Sequence, residues 1–193
     1  DLTGNLTVGN ALTGNLTIDN GATLDTTALN SYGITLAGNW ANSGSFISNA
    51  NTVTFNGGST QTINAGGTGT SVDDTTKDFN NLTISDPTLQ IITSELEVDG
   101  TLTIDANKTL DLNGQNLDTS GGLVITNNGT IIVTGVLGGT GTLTQGVAAT
   151  LNLASTPTIT TLTATAAGNT VNYNGSSAQT IMVPSTSTYD ILK

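Results

Sequence analysis

Apolar and polar residues alternate with a period of two along short stretches throughout the chain. Residues 14–25 read Gly-Asn-Leu-Thr-Ile-Asp-Asn-Gly-Ala-Thr-Leu-Asp, with Leu16 and Ile18 on one side and Asn15, Thr17 and Asp19 on the other. Such alternation predicts a strand with one buried face. The phrase returns at 100–111 as Gly-Thr-Leu-Thr-Ile-Asp-Ala-Asn-Lys-Thr-Leu-Asp, with eight of twelve positions identical. A second phrase, NTVTFNGGSTQTI at 51–63, recurs as NTVNYNGSSAQTI at 169–181 with nine of thirteen identical. Each copy leads to an aromatic-headed strand, Phe79–Ile84 in one case and Tyr189–Leu192 in the other. Asn127-Asn128-Gly129-Thr130 also parallels Asn42-Ser43-Gly44-Ser45, which matches Trp40 to Ile125 and Phe46 to Ile131.

Between the phrases come further short apolar beats, among them Ile34–Leu36, Leu89–Ile92, Leu96–Val98 and Ile131–Val133. Gly and Asn punctuate them and supply turn chemistry. Apolar residues nowhere hold the i, i+3, i+4, i+7 pattern of a helix over three turns. Strand after short strand, with recurring phrases, predicts an all-β fold with essentially no α-helix: a parallel β-helix, or β-solenoid. The handedness rule for parallel crossovers makes it right-handed. Coils of roughly 20–25 residues would number about eight or nine, stacked at the ordinary strand spacing of about 4.8 Å. An antiparallel β-sandwich is the rival arrangement. We expect residues 1–193 to be one continuous solenoid with an inserted loop near 64–78. Asp1-Leu2-Thr3 starts in repeat rhythm and Tyr189–Lys193 stops in it, so both ends are expected to be uncapped and mid-repeat. Such ends would pair with flanking repeats or with further copies of the chain, head to tail.

Composition narrows the function. Thr occurs 40 times, Gly 24 times and Asn 22 times, a strand-and-turn vocabulary. Charged residues make up 9% of the chain, against about 25% in ordinary soluble proteins. Apolar residues are 35% and regularly placed, which argues against disorder. The net charge is −11, there is no Arg or His, and Lys77, Lys108 and Lys193 are the only basic residues. No basic face for nucleic acid can be assembled, and an anionic membrane surface would repel the chain. No apolar run is long enough to insert as a helix. Cysteine is absent, so thiolate metal sites and disulfides are excluded. Cations and neutral surface glycans remain as partners. The composition suits a secreted or cell-surface location.

The phrases NTVTFNGGSTQTI, FNNLTISD and GTLTIDANKTLDLNG resemble the β-strand repeats of large bacterial surface proteins. These group loosely with filamentous-haemagglutinin-like adhesins and autotransporter passenger domains. The resemblance covers most of the chain and implies a right-handed β-helix, an extracellular location and an adhesive or scaffolding role. It carries over no functional residue.

Candidate chemistry is sparse. Solenoids that cleave polysaccharides use clustered carboxylates with basic partners, and a glycosidase needs two carboxylates at a set separation. Asp73, Asp74 and Asp78 with Lys77 are the only comparable group here, and without His or Arg they read as a solvated loop. No catalytic residue and no cofactor is expected. Glu95, Glu97 and Asp99 alternate with Leu96 and Val98, which places three carboxylates on one outward face. A calcium ion would relieve their repulsion; the plainer reading is an acidic face that discourages edge pairing. Gly66–Val72 resembles a calcium-binding nonapeptide but has Ser71 at the ligand Asp position and no tandem copy. Thr158, Thr160, Thr161, Thr163 and Thr165 suggest hydroxyl rows of the kind that order water or ice, but coil lengths look too irregular for a flat face. Tyr32 and Trp40 lack aromatic counterparts in the second copy; they are core residues or, alternatively, sugar-stacking rings on the solenoid flank. Six Asn-x-Ser/Thr sites occur, the number composition alone predicts.

Overall fold

The computed structural model describes residues 1–10, 13–64 and 76–193. The described residues form a parallel β-solenoid of about eight turns, without helix. The first coil holds β1 (Leu6–Val8), β2 (Leu16–Ile18) and β3 (Thr23–Asp25), and the second holds β4 (Ile34–Leu36), β5 (Trp40–Asn42) and β6 (Ser45–Ile47). β7 (Thr52–Phe55) and β8 (Gln61–Asn64) follow, then β9 (Phe79–Ile84) and β10 (Thr88–Thr93). β11 (Leu96–Ile104), β12 (Thr109–Asp111) and β13 (Leu117–Asp118) lead to β14 (Val124–Asn127), β15 (Thr130–Val133) and β16 (Leu137–Gly138). β17 (Thr142–Gln145), β18 (Thr150–Leu153), β19 (Thr161–Thr163), β20 (Thr170–Tyr173) and β21 (Ile191–Leu192) complete the series.

The strands stack in three columns. One runs β1-β4-β7-β9-β11-β14-β17-β19, the second runs β2-β5-β8-β10-β12-β15-β18-β20-β21, and a shorter third face holds β3-β6 and β13-β16. Every strand pairing is parallel. A single register joins Leu6, Ile34, Val53, Leu82, Leu102, Ile125, Leu143 and Leu162 into one inward ladder down the first column. All but Leu6 are essentially inaccessible. Each such side chain contributes roughly 1.5–3 kcal/mol on burial, and no coil could bury its ladder residue without the coils above and below it. In the opening phrase, Leu16 and Ile18 face inward and Asn15, Thr17 and Asp19 outward, as the alternation predicts.

The repeated phrases encode corners. At residue 43 the chain turns from β5 to β6: Gly44 N–H donates to Asn42 Oδ1 at 3.1 Å, Ser43 N–H to Ile18 O, and Ser45 N–H to Ala22 O. At residue 128 it turns from β14 to β15 with the same set: Gly129 N–H to Asn127 Oδ1 at 3.1 Å, Asn128 N–H to Ile104 O, and Thr130 N–H to Lys108 O. The strand registers agree as well, Leu16 opposite Trp40 and Leu102 opposite Ile125. Yet the first corner joins the second column to the third face, and the second joins the first column to the second. The equivalent segments are rotated by one column about the solenoid axis. The sequence parallels are thus real, but each belongs to a portable corner and not to a fixed place in the coil.

The second phrase behaves alike. Gln61 Oε1 accepts Gly57 N–H at 2.7 Å and its amide donates to Leu36 O at 3.0 Å; Gln179 accepts Gly175 N–H at 2.8 Å and donates to Leu153 O at 3.0 Å. Corner backbone groups leave the strand ladders, and when buried they need such partners. Gln61→Ala is expected to destabilise by about 1–3 kcal/mol, because a buried donor and acceptor lose their partner together. Gln179→Ala should cost less, since Gln179 is half exposed. Equal losses in urea melts of the two variants would contradict the clamp.

Coil lengths vary, with successive ladder residues 18 to 29 positions apart. The corners absorb the variation. The strands therefore keep register, and Thr7, Thr35, Thr54, Thr83, Thr103, Thr126, Thr144 and Thr163 form an unbroken outward row. This corrects the expectation that irregular coils would break up threonine rows. Thr163 belongs to this row, while Thr158 bridges to Gly138 on the third face. The neighbouring row is mixed: Thr52, Asn81, Thr101, Val124, Thr142 and Thr161. On this column one line of hydroxyls stands beside mixed side chains, which suits cross-strand threonine pairing; a second line, Thr88, Thr109, Thr130, Thr150 and Thr170, runs down the second column.

Candidate functional site

A concave acidic surface lies on the third face, where β11 bends from that face into the first column. Leu96 and Glu97 pair with Leu117 and Asp118, which pair in turn with Leu137 and Gly138. Four residues later the same strand is in the first column, with Thr101 opposite Asn81. The bend opens a pocket of about 220 Å3 lined by Asp78, Glu97, Asp99, Asp118, Ser120 and Gly121. A neighbouring pocket of about 260 Å3 shares Asp118 and Ser120 and adds Glu95, Asn116 and Thr158. Asp118 Oδ1 accepts both the backbone N–H of Ser120 at 2.9 Å and its hydroxyl at 2.5 Å, which orients that carboxylate at the boundary between the two pockets.

The expected set Glu95, Glu97 and Asp99 is thus divided. Glu97 and Asp99 line one pocket and Glu95 the next. They do not form the open solvent face that alternation alone predicts: Glu95 is 2% exposed and Glu97 6%, while Asp99 is exposed. The bend in β11 tucks the first two against neighbouring coils. Sequence reasoning missed Asp118 and Ser120. The available signal was spacing, since Asp118 follows Glu97 by one coil. The pockets gather negative charge and favour cations. Among the described residues, no group of three or more carboxylates is arranged to hold one metal ion.

Of the loop group considered for catalysis, Asp73 and Asp74 lie outside the described residues, as does Gly66–Val72. Asp78 lines the acidic pocket. Lys77 points elsewhere: its ammonium donates to Asn42 O at 3.1 Å and Gly44 O at 2.5 Å, helping to hold the corner at residue 43. Trp40 is core. Its ring meets Phe46 edge-on at 4.9 Å and Phe79 at 5.1 Å, fully enclosed, so it offers no face to a sugar; Tyr32 is half-buried.

A second carboxyl lies in the interior. Leu82, Ile84 and Asp86 continue one inward alternation, and Asp86 is fully buried. Burial raises its pKa from 3.8 to about 7, opposed by the nearby backbone N–H groups of Asp86 and Gln61 and by the positive charge of Lys108.

No protein-family model matches the chain, and neither a curated protein nor a solved structure is significantly similar to it.

Proposed function

We propose that this chain is a non-catalytic structural or adhesive module of a bacterial surface protein, displayed outside the cell. The observation that carries the proposal is the inward ladder from Leu6 to Leu162, which runs through eight coils in one register. Such a stack adds length coil by coil at the same cross-section, which is what a spacer or scaffold requires. Its outward rows are largely Thr and Asn, a neutral hydrogen-bonding surface suited to an aqueous exterior. The acidic, Lys-poor composition and the resemblance of the repeated phrases to surface-protein repeats support the same reading.

The test is antibody labelling of intact cells of the source organism, with and without protease shaving. Labelling of intact cells that shaving removes is the expected result. Labelling only after permeabilisation would overturn the location. Release of reducing sugar from a polysaccharide by the purified chain, lost on changing Asp78 to Asn, would overturn the non-catalytic role.

A further inference from the structure

We propose that the outward face of the first column binds ice. This is a further activity, beyond the structural reading above, and it does not depend on where the chain is displayed. Its basis is a two-dimensional array of hydroxyls on a parallel sheet. The unbroken row from Thr7 to Thr163 runs through eight coils in one register. Ser185 N–H donates to Leu162 O, and the Ser185 hydroxyl lies 3.0 Å from that of Thr163, so one more hydroxyl continues the row. Two residues earlier on the same strands, Thr52, Thr101, Thr142 and Thr161 stand in the neighbouring row. Four strands thus carry Thr-x-Thr outward, with the middle residue buried in the inward ladder.

The spacing follows from strand geometry. Neighbouring coils step by about 4.8 Å, and two residues along a strand separate the rows by about 6.6 Å. Water oxygens on the prism faces of hexagonal ice repeat in a rectangle of closely similar sides. Seven steps give a matched edge of roughly 34 Å. Threonine is β-branched and stiff about χ1, so methyls and hydroxyls stacked on identical neighbours repeat with the backbone. Each hydroxyl donates one hydrogen bond and accepts two, which lets it stand in for a lattice water. The array is ordered before it meets the crystal, and that removes the entropic cost of arranging it on binding.

The composition of the face selects the occupant. Neither row holds a charged residue, so no ion imposes its own hydration shell there. Asn81 and Val124 interrupt the second row, and Asn81 Oδ1 accepts the Thr101 hydroxyl at 2.8 Å. The second column supplies a contrast. Its threonine line has the same step, but Gln90, Asp111, Asn152 and Asn172 run beside it. There the Gln90 amide donates to Asp111 at 3.0 Å and the Asn172 amide to Asn152 at 3.1 Å, so those groups are charged or already satisfied by one another. A polypeptide finds little on the first column. Every strand from β4 to β17 is paired on both sides, so no backbone edge is offered. Val124 is the one large apolar side chain exposed on the described strands of this column, far short of an apolar patch.

The test is partition of the purified chain between liquid and ice grown slowly on a cold finger, with the shape of single ice crystals as a second readout. The parent is expected to enter the ice at least tenfold more than Thr126→Tyr, which breaks the middle of the row, and to facet the crystals. Thr130→Tyr, on the second column, should partition as the parent does. Circular dichroism establishes that the variants fold. If Thr126→Tyr does not, Thr144→Tyr at an exposed position of the same row takes its place. Exclusion of the parent from ice to the degree of serum albumin overturns the proposal. So does partition of the folded row variant at the parent's level, or an equal loss in Thr130→Tyr. Capture of the parent on crystalline cellulose together with exclusion from ice reassigns the face to a polysaccharide surface. A chain excluded from ice that still labels intact cells removes this activity alone and leaves the surface reading standing.

Discussion

Asp86→Asn is expected to raise the thermal midpoint at pH 8 by roughly 8–16 °C and to leave it nearly unchanged at pH 4. Asp86 is fully enclosed, and burial outweighs the backbone N–H groups of Asp86 and Gln61 that face it, so its pKa rises from 3.8 to about 7. A carboxyl whose folded pKa is raised supports the fold while protonated. Its contribution is complete below about pH 4, fades through the interval up to 7, and is lost above that. Three pKa units correspond to about 4 kcal/mol as an upper bound, and in a chain of this length each kcal/mol moves the midpoint by roughly 2–4 °C. The amide has the shape of the protonated acid and does not titrate. The parent should therefore lose stability between pH 4 and 8 more steeply than the variant does. Repulsion among the other carboxylates acts on both proteins and drops out of the difference. Melting curves that fall in parallel across this range would show that Asp86 is solvated or partnered.

Asp86 also marks where sequence reading runs out. Ser85-Asp86-Pro87 has the look of a turn, and a turn aspartate is ordinarily solvated. The contrary signal was present in the alternation Leu82, Ile84, Asp86, which extends the buried side by one residue. The solenoid itself was legible, because Leu16, Ile18 and their kin repeat a period-two pattern that needs no tertiary information. The column that each phrase occupies was not. A corner such as Asn127-Asn128-Gly129 is specified by bonds spanning two residues and by the coil beneath it, and neither depends on which face it turns towards. The two phrases are corners, and the second copy of each stands one column away from the first. The threonine row was hidden for the same reason: coil length predicts register only if corners are uniform. The acidic pocket was half visible. Glu95, Glu97 and Asp99 could be read along one strand, but Asp118 and Ser120 arrive from the next coil, and the bend that buries Glu97 leaves no mark in the alternation.

If corners are the portable unit, the same substitution at two of them should cost the same on different columns. Gly129→Ala and Gly44→Ala are each expected to destabilise by about 3 kcal/mol or more, at the upper end of overpacking. A methyl on Gly129 would lie 2.2 Å from Lys108 O, 2.5 Å from Asp105 O and 3.0 Å from Ile104 Cγ2. On Gly44 it would lie 2.3 Å from Ala22 O, 2.4 Å from Asp19 O and 2.9 Å from Ile18 Cγ2. The obstructing atoms are backbone and are fixed. Lys108 O accepts Thr130 N–H and Asp105 O accepts Lys108 N–H, while Ala22 O and Asp19 O accept from Ser45 and Ala22 in the same pattern. Neither glycine has positive φ, so the penalty is steric. Gly4→Ala supplies the baseline, having nothing within 4 Å of the added carbon and an ordinary φ, and should change stability by less than about 0.5 kcal/mol. Chemical denaturation of the three variants decides it. Gly129→Ala unfolding with Gly4→Ala would mean that the corner yields. A large gap between Gly44→Ala and Gly129→Ala would mean that the column matters, and that the two corners are alike in sequence but not in what they bear. Equal, large losses would show that one local device turns this chain wherever it is placed, so that coils of unequal length still close on the same ladder.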